Sequence, residues 1–421
     1  MIEALLAAAL FFQSAGSDSP QAMQARGSAG AETSPPEAAP APDAVLDAAP
    51  DAPSDAAAPV IAAEPPWIAA FRRQLALVAD HPRSAGLAVA IIDNGQVVFT
   101  HVSGETARGS GEPVTEDTLF RAASVTKTFT GTLLAMLEQE GVIELDLPAP
   151  REIIDLQGAR QPTWRDLVSH RTGLPPNAYD NLIEAGRPVK SVRERLADVN
   201  LICSLGDCYT YQNVAFAAVE DLIANAAGQP FEAVAQERLF DPFGLSSAGF
   251  GAAHLEASDN WARPHRGRYG RLGGAQSRYD SMPSAASLSV SLNDMIAWTR
   301  ALLDTENGID PAVRQAAFSP YTETLRETRG LRRLNRVRES WYGLGWRVYD
   351  WAGETTLVGH GGALSGYGSQ IILDPATGFG FVALWNADLG LTRMLWPTAV
   401  ELRYGTGDAP FIAETLARMR G

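Results

Sequence analysis

Apolar runs at the two ends of one long stretch of helical periodicity restrict the fold more than any other feature of this chain. Early on, "GLAVAIID" and "QVVFTHVSG" are separated by Asn94-Gly95. That dipeptide is the strongest short signal for a two-residue hairpin, in which both turn residues take positive φ. Late in the chain come "WYGLGWRVYD", "ETTLVGHGG", "GYGSQIILDP" and "GFGFVALWNAD". Between them, from Pro162 to about Leu245, the period is mostly helical, as in "NVAFAAVEDLIANAAG" with Gly228 as its stop. "LNDMIAWTRALLD" and, before the first strand, "PWIAAFRRQLALVAD" are further amphipathic helices. Strands at both ends with helices between imply that the first and last strands share one antiparallel sheet. The expected class is α+β, a sheet flanked by terminal helices plus a mainly helical lobe, with a site in the cleft between lobes.

The chain has 421 residues, which suits one large enzyme domain with extensions. Its formal charge of −15 argues against nucleic-acid partners and anionic lipid surfaces. Much of that charge is local: residues 17–66 hold eight Asp/Glu against one Arg. This Ala/Pro/Asp-rich stretch has too little apolar surface to fold and reads as a disordered linker. Residues 1–16, "MIEALLAAALFFQSAG", resemble a short secretory signal without a basic start, which points to a periplasmic or secreted protein. The main folded domain is expected over 67–405, with a C-terminal tail over 406–421. No stretch reaches the ~20 apolar residues of a membrane span. The two cysteines, Cys203 and Cys208 in "CSLGDC", are too few for a zinc site. In an oxidising compartment they would close a short disulfide loop, which the signal-like start favours; in cytosol they would be two thiols.

Only two lysines occur, Lys127 and Lys190, against 34 Lys plus Arg in all. Lys127 lies three residues after Ser124 in "RAASVTKTFTGTLLAMLEQEG". On a helix those side chains share a face. A serine hydroxyl needs a base to become a nucleophile, and a desolvated lysine can be one, whereas arginine keeps its proton. Alone, the S-x-x-K pattern is weak, since it is also a helix-capping serine and a solvated lysine. Tyr211 and Asn213 in "CYTYQNV" are candidates for a proton relay and a substrate amide contact. Taken singly they read as a core aromatic and a helix cap. Tyr179-Asp180-Asn181 is a similar triplet in a Pro-rich loop and ranks below Tyr211. His360-Gly361-Gly362 ends a late strand, where glycines admit a substrate backbone. The backbone N–H groups of Ser124 and Ala363 would form an oxyanion hole, and His360 would hold a substrate carboxylate or polarise the tyrosine.

The order S-x-x-K, Y-x-N, H-x-G is more specific than any one motif. With "DTLFRAASVTKTFTGTLLAMLEQEGVIELD", "PTWRDLVSHRTGLP", "DPFGLSS" and "YGLGW", it resembles the penicillin-recognising serine hydrolases from Trp67 to Tyr404. These are class C β-lactamase-related enzymes, D-Ala-D-Ala carboxypeptidases, D-aminopeptidases and esterases. The resemblance implies the β-lactamase/transpeptidase-like fold and hydrolysis of a small-molecule amide, peptide or ester through an acyl-enzyme, with no cofactor and no metal. Ser124 would be acylated, Lys127 would be its base partner, Tyr211 the proton relay, and Asn213, His360, Gly361 and Gly362 would bind substrate. His360 stands where true β-lactamases carry a lysine, which is closer to the peptidase and esterase branches. "CSLGDCYTY" also departs from the Pro-Gly that many relatives carry before the tyrosine. The rival readings are a penicillin-binding sensor that acylates without turnover, a true β-lactamase, and an envelope interaction protein with vestigial motifs.

Overall fold

A computed structural model describes residues 65–331, 336–405 and 409–420. The signal-like start and the acidic linker up to residue 64 lie outside the described residues. The main sheet has eight strands: β1 (Gly86–Asp93), β2 (Gln96–Gly104), β3 (Thr322–Glu323), β4 (Val337–Tyr342), β5 (Arg347–Trp351), β6 (Thr355–Leu364), β7 (Tyr367–Asp374) and β8 (Phe379–Trp385). Their order is β2-β1-β8-β7-β6-β5-β4-β3, with every pairing antiparallel. The first strand therefore does close on the last, with Leu87 opposite Trp385 and Ile91 opposite Phe381. The turn between β1 and β2 has φ 50 at Asn94 and φ 74 at Gly95, the double positive φ that Asn-Gly supplies.

Every residue of "GLAVAIID" is buried because the sheet is covered on both faces. Leu87, Val89 and Ile91 pack with Phe381 and Ala383 under the terminal helices α1 (Pro66–Ala79), α4 (Leu395–Tyr404) and α5 (Phe411–Arg420). Ala88, Ala90 and Ile92 face the helical lobe with Val382 and Leu384. Strand alternation thus serves two cores, which is why the run shows no polar positions. Within the C-terminal segment 406–421 lies α5, whose Phe411 and Ile412 are buried in the terminal-helix core. One correction concerns "NVAFAAVEDLIANAAG". It is two helices, Asn213–Phe216 and Val219–Ala227, with Gly228 at φ 69 as the stop. No described helix is long and apolar enough to cross a membrane.

The helical lobe is organised around α2 (Thr126–Gln139), with α3 (Leu292–Leu303) beside it. From Thr126 to Ala135 every residue of α2 is buried. A helix with threonines on all sides tolerates this because the hydroxyls return to the helix's own carbonyls. Thr128 bonds Val125 O at 2.8 Å and Thr132 bonds Thr128 O at 2.8 Å. Phe129 stacks on Trp298 of α3 at 4.2 Å. The sheet meets α2 through the "YGLGW" turn between β4 and β5. A Cβ on Gly131 would lie 1.7 Å from Leu344 O, and one on Gly345, at φ 70, would lie 2.0 Å from Lys127 O. Two bare backbones in contact set the height of Lys127 against the sheet.

Candidate active site

Ser124 lies on the 3₁₀ turn Ala123–Val125 that leads into α2. It is the only residue from Thr118 to Ala135 that is not fully buried. Ala123 before it is held at φ 49, the left-handed region that a side chain disfavours. Strain of this kind persists only where surrounding packing enforces it. Here the enforcing element is β6: a Cβ on Gly362 would lie 2.2 Å from Ala122 O and from Ser369 Oγ, so only glycine lets the strand reach the turn. Ser369 Oγ donates to Ala122 O and ties β7 to the same place. Gly361 and Ala363 are exposed on the opposite side of β6 from Gly362.

Lys127 is 0% exposed. Its Nζ donates to Asn213 Oδ1 at 2.8 Å and to the Ala285 carbonyl at 2.8 Å. The rings of Tyr211 and Phe216 lie 4.9 and 5.2 Å from it. Burial brings its pKa down to about 7; Asp180 opposes that shift and Arg347 adds to it. A neutral amine has two N–H bonds and one lone pair. With both N–H groups held by acceptors, the lone pair is left for another hydrogen.

Burial pushes the Tyr211 phenol up to about 12, and the Ser124 hydroxyl opposes the shift as a hydrogen-bonding neighbour. The contact is loose, because the Tyr211 hydroxyl has no hydrogen bond of good geometry among the described residues. Loose catalytic hydrogen bonds are common before substrate binds. The "SHRTG" turn forms a wall beside it. His170, at φ 57, accepts from Gln212 N through Nδ1 and packs 4.3 Å from the Tyr211 ring. Burial first, then the neighbouring Lys127 and Arg347 cations, hold His170 well below the usual histidine range, so it is neutral.

His360 is bonded within the protein through both ring nitrogens. Its Nδ1 lies 2.8 Å from Gly361 O, and its Nε2 lies 3.0 Å from the Tyr342 hydroxyl. A carbonyl only accepts, so Nδ1 carries the hydrogen and Nε2 accepts from Tyr342. Both nitrogens are taken, and burial with Arg347 keeps the ring neutral. The cation near this position is Arg347 on β5, with its guanidinium 5.8 Å from the Tyr211 ring and 5.5 Å from the Tyr342 ring.

Cys203 and Cys208 are joined, with Cα atoms 6.3 Å apart. The loop they close is stitched to the "HRTG" turn by Ile202 N to Gly173 O at 2.7 Å, Gly206 N to Arg171 O at 2.8 Å and Thr210 N to His170 O at 2.8 Å. It therefore shapes the approach to Tyr211. Among the described residues, no group of three His, Cys, Asp or Glu side chains is gathered as a metal-binding set.

Ser124, Lys127, Tyr211 and Asn213 thus converge, with Gly362 pressed beneath the serine turn. Sequence reasoning missed Arg347, His170, Tyr342 and the Ala285 carbonyl. "SHRTG" and "YGLGW" flank three of them, yet nothing local marks their inward direction.

A family model described as Beta-lactamase matches residues 71–401. Penicillin-binding protein 4 of Amycolatopsis lactamdurans is 26% identical over 320 residues, covering 72% of this chain and 80% of that protein. A D-aminopeptidase of Gluconobacter oxydans is 27% identical over 329 residues, covering 74% of this chain and 57% of that protein, so the match spans little more than half of that relative. Among solved structures, an octameric penicillin-binding protein homologue from Pyrococcus abyssi superposes with a TM-score of 0.73 at 20% identity, covering 83% of this chain and 80% of that one.

Proposed function

This chain belongs to the beta-lactamase family, and from that membership we propose that it is a serine hydrolase that cleaves a small amide, peptide or ester through an acyl-enzyme on Ser124. The observation that carries the reading is the state of Lys127. A fully buried amine, titrating near 7, has both its N–H groups held and lies three residues from a part-exposed serine. In the first half-reaction the Ser124 proton passes to Lys127 as Oγ forms its bond to the substrate carbonyl carbon. The backbone N–H groups of Ser124 and Ala363 stabilise the resulting oxyanion. Collapse breaks the bond to the leaving group, which takes a proton by way of Tyr211, replenished from Lys127. Water then repeats the sequence on the acyl-enzyme and releases the acid.

A neutral His360 with both ring nitrogens bonded offers no cationic anchor for a penicillin carboxylate. Short esters and D-amino-acid amides are expected to outrun penicillins. The Cys203–Cys208 bond and the signal-like start support action outside the cytoplasm. Purified protein treated with a fluorophosphonate and, separately, a fluorescent penicillin should carry the fluorophosphonate on the Ser124 peptide by mass spectrometry. Steady turnover of p-nitrophenyl esters should accompany that label. Label on another residue would overturn the assignment, and labelling without any turnover would favour a ligand-binding relative.

A further inference from the structure

We infer that Asp180 is a positioning residue for the base: its carboxylate holds the Asn213 side chain with the amide oxygen turned toward Lys127. The inference rests on Lys127 serving as the base for Ser124. Asp180 is 8% exposed, and its Oδ2 accepts from Asn213 Nδ2 at 2.7 Å. Asn213 Oδ1 in turn accepts from Lys127 Nζ at 2.8 Å. Burial and Glu184 raise the Asp180 pKa, while Asn213, Lys127 and Tyr279 favour the ionised form; that form can only accept, so the amide atom facing Asp180 is nitrogen and the atom facing Lys127 is oxygen. Turned the other way, the Asn213 NH₂ would confront the amine with donors and compete for its lone pair.

The loop that delivers Asp180 is strained toward this end. Asn177 and Tyr179 both take left-handed φ, 54 and 64, although neither is glycine. The loop is tied to the strand-like Tyr211–Gln212 segment by Asn177 N to Tyr211 O at 2.8 Å and by Gln212 Nε2 to Pro175 O. Arg195 lies 5.1 Å over the Tyr179 ring. Observed backbone strain held by such ties is a recurrent feature of functional loops. The triplet Tyr179-Asp180-Asn181 thus serves the site through its middle residue.

Charge gives Asp180 a second effect. Tyr279 donates to the same Oδ2 at 3.2 Å and to Glu184 at 3.2 Å, so Tyr279 and Glu184 face Asp180 from its outer side. On the inner side, Asp180 opposes the lowering of the Lys127 pKa by burial and by Arg347, while His170 and His360 stay neutral. Without Asp180 the amine would be a weaker base at neutral pH.

The test is the rate of fluorophosphonate acylation from about pH 5 to about pH 9, a span that brackets the expected titration. It compares full-length wild type, Asp180→Asn, Asp180→Ala and Lys127→Arg. Asp180→Asn keeps an acceptor for Asn213 but removes a charge two hydrogen bonds from Lys127. Its acid limb should move down by about one pH unit. Asp180→Ala should show the same displacement and a plateau at least tenfold lower, because Asn213 is released to turn. A purely packing role would alter the melting temperature and leave the limb in place. An Asp180→Asn limb at the wild-type pH overturns the inference, and that arm decides alone if Asp180→Ala does not fold. Fast acylation by Lys127→Arg would instead remove the base, and this role with it.

Discussion

Gly362→Ala tests the junction on which the serine turn depends. The added Cβ would lie 2.2 Å from Ala122 O and from Ser369 Oγ, and 3.1 Å from the Ala123 Cβ. Ordinary contact needs over a further ångström from the first two atoms. They are themselves hydrogen-bonded, so neither can move aside alone. The strand and the turn must part by about 1 Å, a change that typically costs about 1–3 kcal/mol in a packed interior and lowers Tm by roughly 2–6 °C in a domain of this size. The same displacement separates the N–H of Ala363 from that of Ser124. Misplacing one oxyanion donor should reduce acylation by about 10²-fold or more. Gly361→Ala is the control: its nearest non-neighbour atom would be Ser369 O at 4.0 Å. Thermal melts and fluorophosphonate acylation rates for both variants make the comparison. Gly361→Ala should melt with wild type, and Gly362→Ala should melt lower and acylate far more slowly. Wild-type acylation by Gly362→Ala would refute the claim that β6 is pressed against the nucleophile turn.

Three further outcomes are expected. Wild-type acylation should rise with pH to a plateau above about pH 7, because the Lys127 amine is neutral only above its pKa; Lys127→Arg should lose about 10²–10⁴ of the rate, and a variant that folds and acylates normally would end the base assignment. Glu220 is pushed up to about 7 by burial while it accepts from Ser284 N at 3.0 Å and Ser284 Oγ at 2.6 Å. Its folded pKa lies above the unfolded one, so its stabilisation is present in acid and lost as pH rises from about 4.5 to about 7; Glu220→Gln, which keeps the acceptor, should be more stable than wild type above pH 7 by up to about 3 kcal/mol in urea titrations, and equal stability there would contradict the burial argument. Replacing Cys203 and Cys208 together by serine should lower stability by about 2 kcal/mol, as a short loop allows, and slow acylation modestly through the Tyr211 segment; a melt identical to wild type would show that the bond does nothing for the fold.

The site was legible where chemistry and spacing are local. Ser124 and Lys127 are one helical step apart, and Tyr211 and Asn213 share one short stretch, so both pairs stood out as written. Gly362 could be named but not explained, since its need for a bare backbone comes from Ala122, far away in sequence. From the sequence, His360 reads as a holder of a substrate carboxylate or a polariser of the tyrosine. Tyr342 and Gly361, which occupy its nitrogens, became its neighbours only through strand pairing and a turn. Arg347 looked like any of this chain's many arginines. Asp180 was set aside with Tyr179, because a Pro-rich loop says nothing about which of its side chains turns inward.

By itself the sequence determined the α+β class, the closure of the first strand on the last, the hairpin at Asn94-Gly95 and the placing of a serine three residues before one of the chain's two lysines. These follow from periodicity, turn chemistry and residue type, which act over a few neighbours. Only the tertiary structure decided that the lysine is fully buried and titrates near 7. It also decided that His360 is neutral and internally bonded, and that Asp180 and Arg347 act on the base's pKa in opposite directions. The reason is physical: desolvation and Coulomb interaction depend on which distant groups share a small volume of low dielectric, and that is set by backbone contacts such as Gly131 on Leu344 and Gly345 on Lys127.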